Sequence, residues 1–315
     1  MTPITFPKLS IVLPTYNRPT LLYSWLSNVL HNQTAKPDQI IIVNDSPNDT
    51  ALFDLIHQFD TDIKITYIHN QVNRGVTASN YIGLQEVTSE FVMFCADDDE
   101  LRTNAIEKIK QAIDAFPSVG FVTGRSMWHD RVKGVTWVSG RSMEPGYYYD
   151  ANEVTDLATK GHLRIPGEAT AYRTNIIRNA GLYRHELKLF ADLYMTWSLA
   201  FHEPFVVLDH VITDFYLNPY GHYAKLKDKA EMINDEVRRM IIMFETYNQH
   251  TNKLPTIRNS GIIGFTDVDP EFIKKHYPAW DTVAFRGHCL LRKFERFTRR
   301  WAPAWMINLF GKFYR

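Results

Sequence analysis

Cysteine is scarce: the 315-residue chain has only Cys95 and Cys289, too few for a disulfide framework, so the sequence predicts a reducing compartment. No apolar run approaches the roughly 18 residues of a membrane span. Met1 to Lys8 lacks the charged and then apolar pattern of a secretory leader, so a cytoplasmic protein is expected. An excess of one charge is also missing, with 35 Lys+Arg against 35 Asp+Glu, and this balance argues against a general nucleic-acid binder. No internal repeat or low-complexity linker interrupts the chain. The turn after the first apolar segment, Pro14-Thr15-Tyr16-Asn17-Arg18, has none of the glycines of a dinucleotide fingerprint, which excludes that class of dehydrogenase.

What is present is a β-α-β alternation. Ser10-Ile11-Val12-Leu13 reads as a strand ended by Pro14, and Pro19 suits the first turn of a helix. Gln39 to Val43 is apolar enough to be buried on both faces, and Asn44-Asp45-Ser46-Pro47 makes a turn. Ile63 to Ile68 alternates as a strand, Thr77–Val87 and Asn104–Phe116 read as helices, and Val119 to Val122 is the next strand. Right-handed crossovers on a largely parallel, doubly wound sheet follow. Residues 125–165 carry Trp128, Trp137 and Tyr147 among glycines and charges, a pattern of loops and short strands. These rings suit either stacking on a sugar or core packing. A long amphipathic helix is expected over Lys225–Tyr247, with Ile233, Val237, Met240, Ile241 and Phe244 on one face.

The strongest chemical signal is Asp97-Asp98-Asp99 after the apolar run Phe91 to Ala96. Acids crowded at the carboxyl end of a buried strand stand where wound sheets bind ligands, and a divalent cation would relieve their repulsion. Mg²⁺ or Mn²⁺ fits, because such ions take carboxylate oxygens and complete their shell with substrate phosphates. A solvated acidic turn is the alternative. Asp45, ending the second strand on the same edge, suits either a hydrogen bond to a base N–H or an Asx-turn. Backbone amides around Thr15 can meet phosphate or ribose, and Tyr16 offers a face for a base.

Ile11 to Arg18, Val43-Asn44-Asp45-Ser46, Asn73-Arg74-Gly75 with Asn80, and the aspartate cluster together resemble the family 2 glycosyltransferases of the GT-A fold, of the kind that build bacterial surface polysaccharides. The resemblance implies a GT-A nucleotide-sugar-binding half over 1–120, an acceptor-binding half over 121–223 and a helical extension over 224–315. It implies a nucleotide-sugar site made by Pro14, Thr15, Tyr16, Asn17, Asp45, Asn73, Asn80 and Asp97. Asp98 is the implied ligand of the Mn²⁺ or Mg²⁺ cofactor, Asp99 a second ligand, and His222 a late histidine reaching metal or pyrophosphate. Ala96 stands where the family often has its first aspartate.

Sugar transfer needs a general base for the acceptor hydroxyl. Asp192, opening the helical segment Asp192 to Ala200, is the candidate, with a helix-capping acid as the alternative. Its surroundings resemble the family's Glu-Asp motif, although Ala191 replaces the glutamate and Ser198 the frequent arginine. The expected activity is metal-dependent, inverting transfer from a nucleotide diphosphate-sugar, UDP favoured, to a glycan or lipid-linked acceptor. The rivals are a sugar nucleotidyltransferase and a non-catalytic sugar-nucleotide or glycan-binding module. Residues 281–315 hold eight Lys/Arg against two acids. That amphipathic, aromatic stretch suits an anionic membrane surface met through 285–315, on the inner face of the membrane, or docking on the catalytic domain or a twin subunit.

Overall fold

The computed structural model describes residues 8–49, 51–140, 142–217, 230–249 and 251–301, with side chains to residue 294. Four parallel strands form its first half: β1 (Leu9–Thr15), β2 (Gln39–Asn44), β3 (Lys64–His69) and β4 (Phe91–Phe94), in spatial order β3-β2-β1-β4. Every residue of β1 and β2 is buried, as unbroken apolar runs require of strands covered on both faces. Alternation then divides the side chains. Ile11, Leu13, Ile40 and Ile42 face α1 (Pro19–Ser27), α2 (Ala51–Ile56) and α4 (Ala105–Ala115). Val12, Ile41 and Val43 face α3 (Val76–Gln85) and the later helices. Gly83 lets α3 approach closely, since a Cβ there would lie 2.5 Å from Val12 Cγ1. Pro14 does not end β1. It pairs with Val43 inside the strand, which runs on to Thr15.

Beyond β4 the sheet becomes mixed, with strand Thr170–Arg173 running against its neighbours. Among the described residues it continues through β5 (Glu100–Leu101), β6 (Phe121–Asp130), β7 (Val135–Ser139), β8 (Tyr147–Tyr149), β9 (Thr170–Arg173) and β10 (Phe205–Tyr216). β9 lies between β4 and β6 and runs antiparallel to both, with Met93 opposite Ala171. That register places the turn before β9 at the edge where β4 ends in aspartates. β10 pairs parallel with β6 and antiparallel with β5, bringing Tyr216 to the same edge.

The remaining helices close the other face. α5 (Glu153–Thr159) and α6 (Thr174–Asn179) precede α7 (Ala191–Ala200), whose residues 194–200 are all buried. Helix Ala230–Asn248 buries Ile233, Val237, Met240, Ile241 and Phe244, the predicted stripe, while its expected start at 225 lies outside the described residues. Helix Val283–Trp301 seats Phe285 against the Ile262–Thr266 turn.

Candidate active site

At the carboxyl edge, Thr15 Oγ1 donates to Asp97 Oδ2 (2.7 Å). Arg18 Nη1 donates to Asp97 Oδ1 (2.8 Å) and Asp98 Oδ2 (2.9 Å). Two neighbouring carboxylates therefore converge on one cationic nitrogen. Burial raises the Asp97 carboxyl above the usual range, against the pull of Thr15 and Arg18. The sequence motif that ends at Arg18 assigns this residue no chemical role of its own, because a single basic residue after a strand has no signature.

Asp45, 3% exposed, spends its carboxylate on the adjoining loop. Asn70 Nδ2 and Arg74 N donate to Oδ1 and Gly75 N to Oδ2, each at 2.8 Å. These bonds hold the 70–75 segment and lead into α3 through Gly75, whose φ of +83° favours glycine. A carboxylate has about four lone-pair sites, so room for one further donor remains. Tyr16 projects into solvent at 48% exposure. Asn17, at φ +52°, donates its N–H to Ser46 Oγ (2.7 Å), tying the β1 and β2 loops together. Asn73 is exposed on the 70–75 loop. Asn80 lies on α3 beside the Tyr183 hydroxyl, and its buried Oδ1 has no hydrogen-bond partner among the described residues.

The third group joins acids from three segments. Asp99 is buried, accepts a hydrogen bond from Tyr216 N (3.3 Å) and is pushed up to about 8, chiefly by burial and then by the charges of Glu168 and Asp98. Glu168, in the turn before β9, accepts from Trp128 Nε1 (3.0 Å), and burial and the nearby Asp192 raise its carboxyl. Asp192 sits in the first turn of α7 and accepts from Leu193 N (2.8 Å). Solvent reaches Asp192, yet crowding by surrounding protein lifts its carboxyl above the ordinary range. Its charge acts on Tyr183, the neighbour of Asn80, so α3 and α7 bring the Asn80 and Asp192 positions to one place. Glu168 escapes sequence reasoning because an isolated acid in a turn carries no spacing signal; only the β4–β9 register delivers it.

The aromatic residues of 125–165 divide. Trp128 packs against Trp137 and Phe215, with ring centroids 5.7 and 4.5 Å apart, while Tyr147 donates to Glu153 on the opposite flank of β10. Asp214 is held by an ion pair with Arg102 and a hydrogen bond with His129, a brace beside the site. His222 lies outside the described residues. Among those described, no three His, Cys, Asp or Glu residues are grouped to hold a metal unaided.

Comparison with known proteins agrees with this layout. The sequence model of glycosyl transferase family 2 matches residues 10–175. The GalNAc(5)-diNAcBac-PP-undecaprenol beta-1,3-glucosyltransferase of Campylobacter jejuni is 26% identical over 245 residues, covering 74% of this chain and 76% of that protein. The poly-beta-1,6-N-acetyl-D-glucosamine synthase of Staphylococcus epidermidis is 23% identical over 198 residues, 61% of this chain and 45% of that one. S. aureus TarS 1-349, solved in complex with UDP-GlcNAc, superposes with a TM-score of 0.61 at 16% identity, over 92% of this chain and 91% of that one, a likeness of fold. With the family match spanning more than half its length, and a wound sheet ending in the aspartate cluster, the chain belongs to glycosyl transferase family 2, has the GT-A fold and is a glycosyltransferase.

Proposed function

We propose that the chain transfers a sugar from a nucleotide diphosphate-sugar, UDP favoured, to a hydroxyl of a glycan or lipid-linked acceptor, with inversion and with a divalent metal. The observation that carries this reading is the convergence of Asp97 and Asp98 on one cationic point at the end of β4. Two carboxylates suit an ion that takes its remaining ligands from phosphates and water, so the donor set fits Mn²⁺ or Mg²⁺. Asp98 is the proposed ligand, joined by Asp97 or Asp99, and His222 remains a proposed late contributor. When bound, the metal supplies positive charge against which the nucleoside diphosphate departs. The TarS complex with UDP-GlcNAc and the undecaprenol-linked glycan in the Campylobacter relative's name favour these substrate classes.

The chain's own residues do the rest. Tyr16 offers its ring to the base, Thr15 and Asn17 line the β1 loop, and Asp45 shapes the base pocket by holding Asn70, Arg74 and Gly75. Asn73 on that loop and the unpartnered oxygen of Asn80 are offered to the donor. Asp192 accepts the proton of the acceptor hydroxyl; direct displacement then inverts the anomeric centre without a covalent enzyme intermediate. Its raised carboxyl brings the base nearer to working pH. Among the described residues no helix is long and apolar enough to cross a membrane. Helix Val283–Trp301 exposes Val283 and Leu290 on one side, and we assign contact with an anionic membrane surface to this basic segment.

Calorimetry with a panel of nucleotide sugars, with and without Mn²⁺, tests the reading on wild type, Asp98→Asn and Asp192→Asn. Metal-dependent donor binding is expected to vanish in Asp98→Asn. Asp192→Asn should bind donor normally while transfer falls about 10²- to 10⁴-fold, the usual contribution of a general base. Binding of no nucleotide sugar by wild type would overturn the proposal.

A further inference from the structure

The turn Pro166-Gly167-Glu168 has no part in donor binding as proposed above, yet it stands between the metal-side acids and the base. It is fixed from several directions. Thr213 Oγ1 donates to the Glu168 carbonyl (2.9 Å), Thr170 Oγ1 donates to the Pro166 carbonyl (2.7 Å), and Trp128 Nε1 holds the Glu168 carboxylate (3.0 Å). The fully buried Ser126 hydroxyl faces the same carboxylate without completing a hydrogen bond. Gly167 matters by what it omits. A Cβ at this position would lie 3.5 Å from Asp192 Oδ2 and 3.9 Å from the Tyr172 hydroxyl, so larger branches would grow over the face of the proposed base. Its φ lies outside the left-handed region, so backbone freedom does not explain a glycine here.

We propose that this turn is the acceptor subsite: Gly167 leaves the face of Asp192 open, and Glu168, fixed by Trp128 between Asp99 and Asp192, accepts hydrogen bonds from acceptor hydroxyls beside the reacting one. The subsite also selects by charge. A sugar carrying a carboxylate or phosphate next to its reacting hydroxyl would meet Asp99, Glu168 and Asp192 together, so the fitting acceptor terminus is an uncharged pyranose. The proposal rests on the transferase reading with Asp192 as base and adds the residue that orients the acceptor.

Saturation-transfer NMR with methyl glucoside, methyl N-acetylglucosaminide and methyl glucuronide, in the presence of UDP and Mn²⁺, tests it on wild type, Glu168→Gln and Gly167→Val. Wild type should bind at least one neutral glycoside and reject the glucuronide. Glu168→Gln should weaken the neutral glycoside about tenfold or more, in line with losing charge-assisted hydrogen bonds, and should relax rejection of the glucuronide. Gly167→Val should abolish glycoside binding while UDP affinity stays within about twofold of wild type, which shows an intact fold. Unchanged glycoside binding in both variants, preference for the glucuronide, or no glycoside bound by wild type overturns the acceptor assignment. Absence of UDP binding in wild type counts against the donor reading alone, since the glycoside signals are judged separately.

Discussion

Removal of the Asp45 carboxylate tests how the carboxyl edge of the sheet is built. It accepts three hydrogen bonds at 2.8 Å from Asn70, Arg74 and Gly75, and a bond to a charged group contributes about 1.5–3 kcal/mol net. The full sum overstates the loss. Arg74 is exposed and Gly75 half-buried, so water can reach their amides, and Asn70 Nδ2 keeps Ser79 Oγ at 3.2 Å. Asp45→Ala should therefore cost roughly 2–4 kcal/mol, against the roughly 5–15 kcal/mol that separates a typical folded protein from its unfolded chain. Asp45→Asn keeps one acceptor oxygen but turns an amide N–H₂ toward a backbone donor, and should cost about half as much. Urea denaturation followed by tryptophan fluorescence gives the stability, and hydrogen exchange at Arg74 and Gly75 localises the effect. Both amides should lose protection, and UDP affinity should fall with them. Stability within about 0.5 kcal/mol of wild type in Asp45→Ala, with exchange at 74 and 75 unchanged, would refute this account of the loop.

Two further tests concern charge at the same edge. The folded Asp99 carboxyl holds its proton up to about 8, whereas an unfolded one releases it near pH 4. The folded state binds more protons between those limits, so its stability should fall as pH rises through them, and Asp99→Asn should flatten that fall in thermal melts at several pH values; equal slopes in both proteins would contradict the burial argument. Arg18→Ala removes the guanidinium shared by Asp97 and Asp98. The two carboxylates then lack their internal cation, so Mn²⁺ affinity without nucleotide should rise several-fold by calorimetry while thermal stability drops. An unchanged or weaker Mn²⁺ affinity would count against this pair as the metal seat.

The parallel half was legible because its signals are local. Apolar runs at β1, β2 and β4 are long enough to demand burial on both faces, turn residues separate them, and the aspartates follow directly. Such patterns place Thr15, Asp45 and Asp97 on one edge before any contact is known. They mislead at Pro14, where a missing N–H reads as a stop although the strand passes through it.

The sequence by itself thus determined the wound core, the edge where the acids gather, and the residue types offered there. Tertiary structure decided which of those groups meet. Arg18 clamps Asp97 and Asp98 across some eighty residues of chain, Asp45 turns to the 70–75 loop, and antiparallel β9 carries Gly167 and Glu168 to the side of Asp192 and Asp99. Burial follows from composition along a few residues. Encounters between distant side chains depend on strand order and register, which no local stretch encodes.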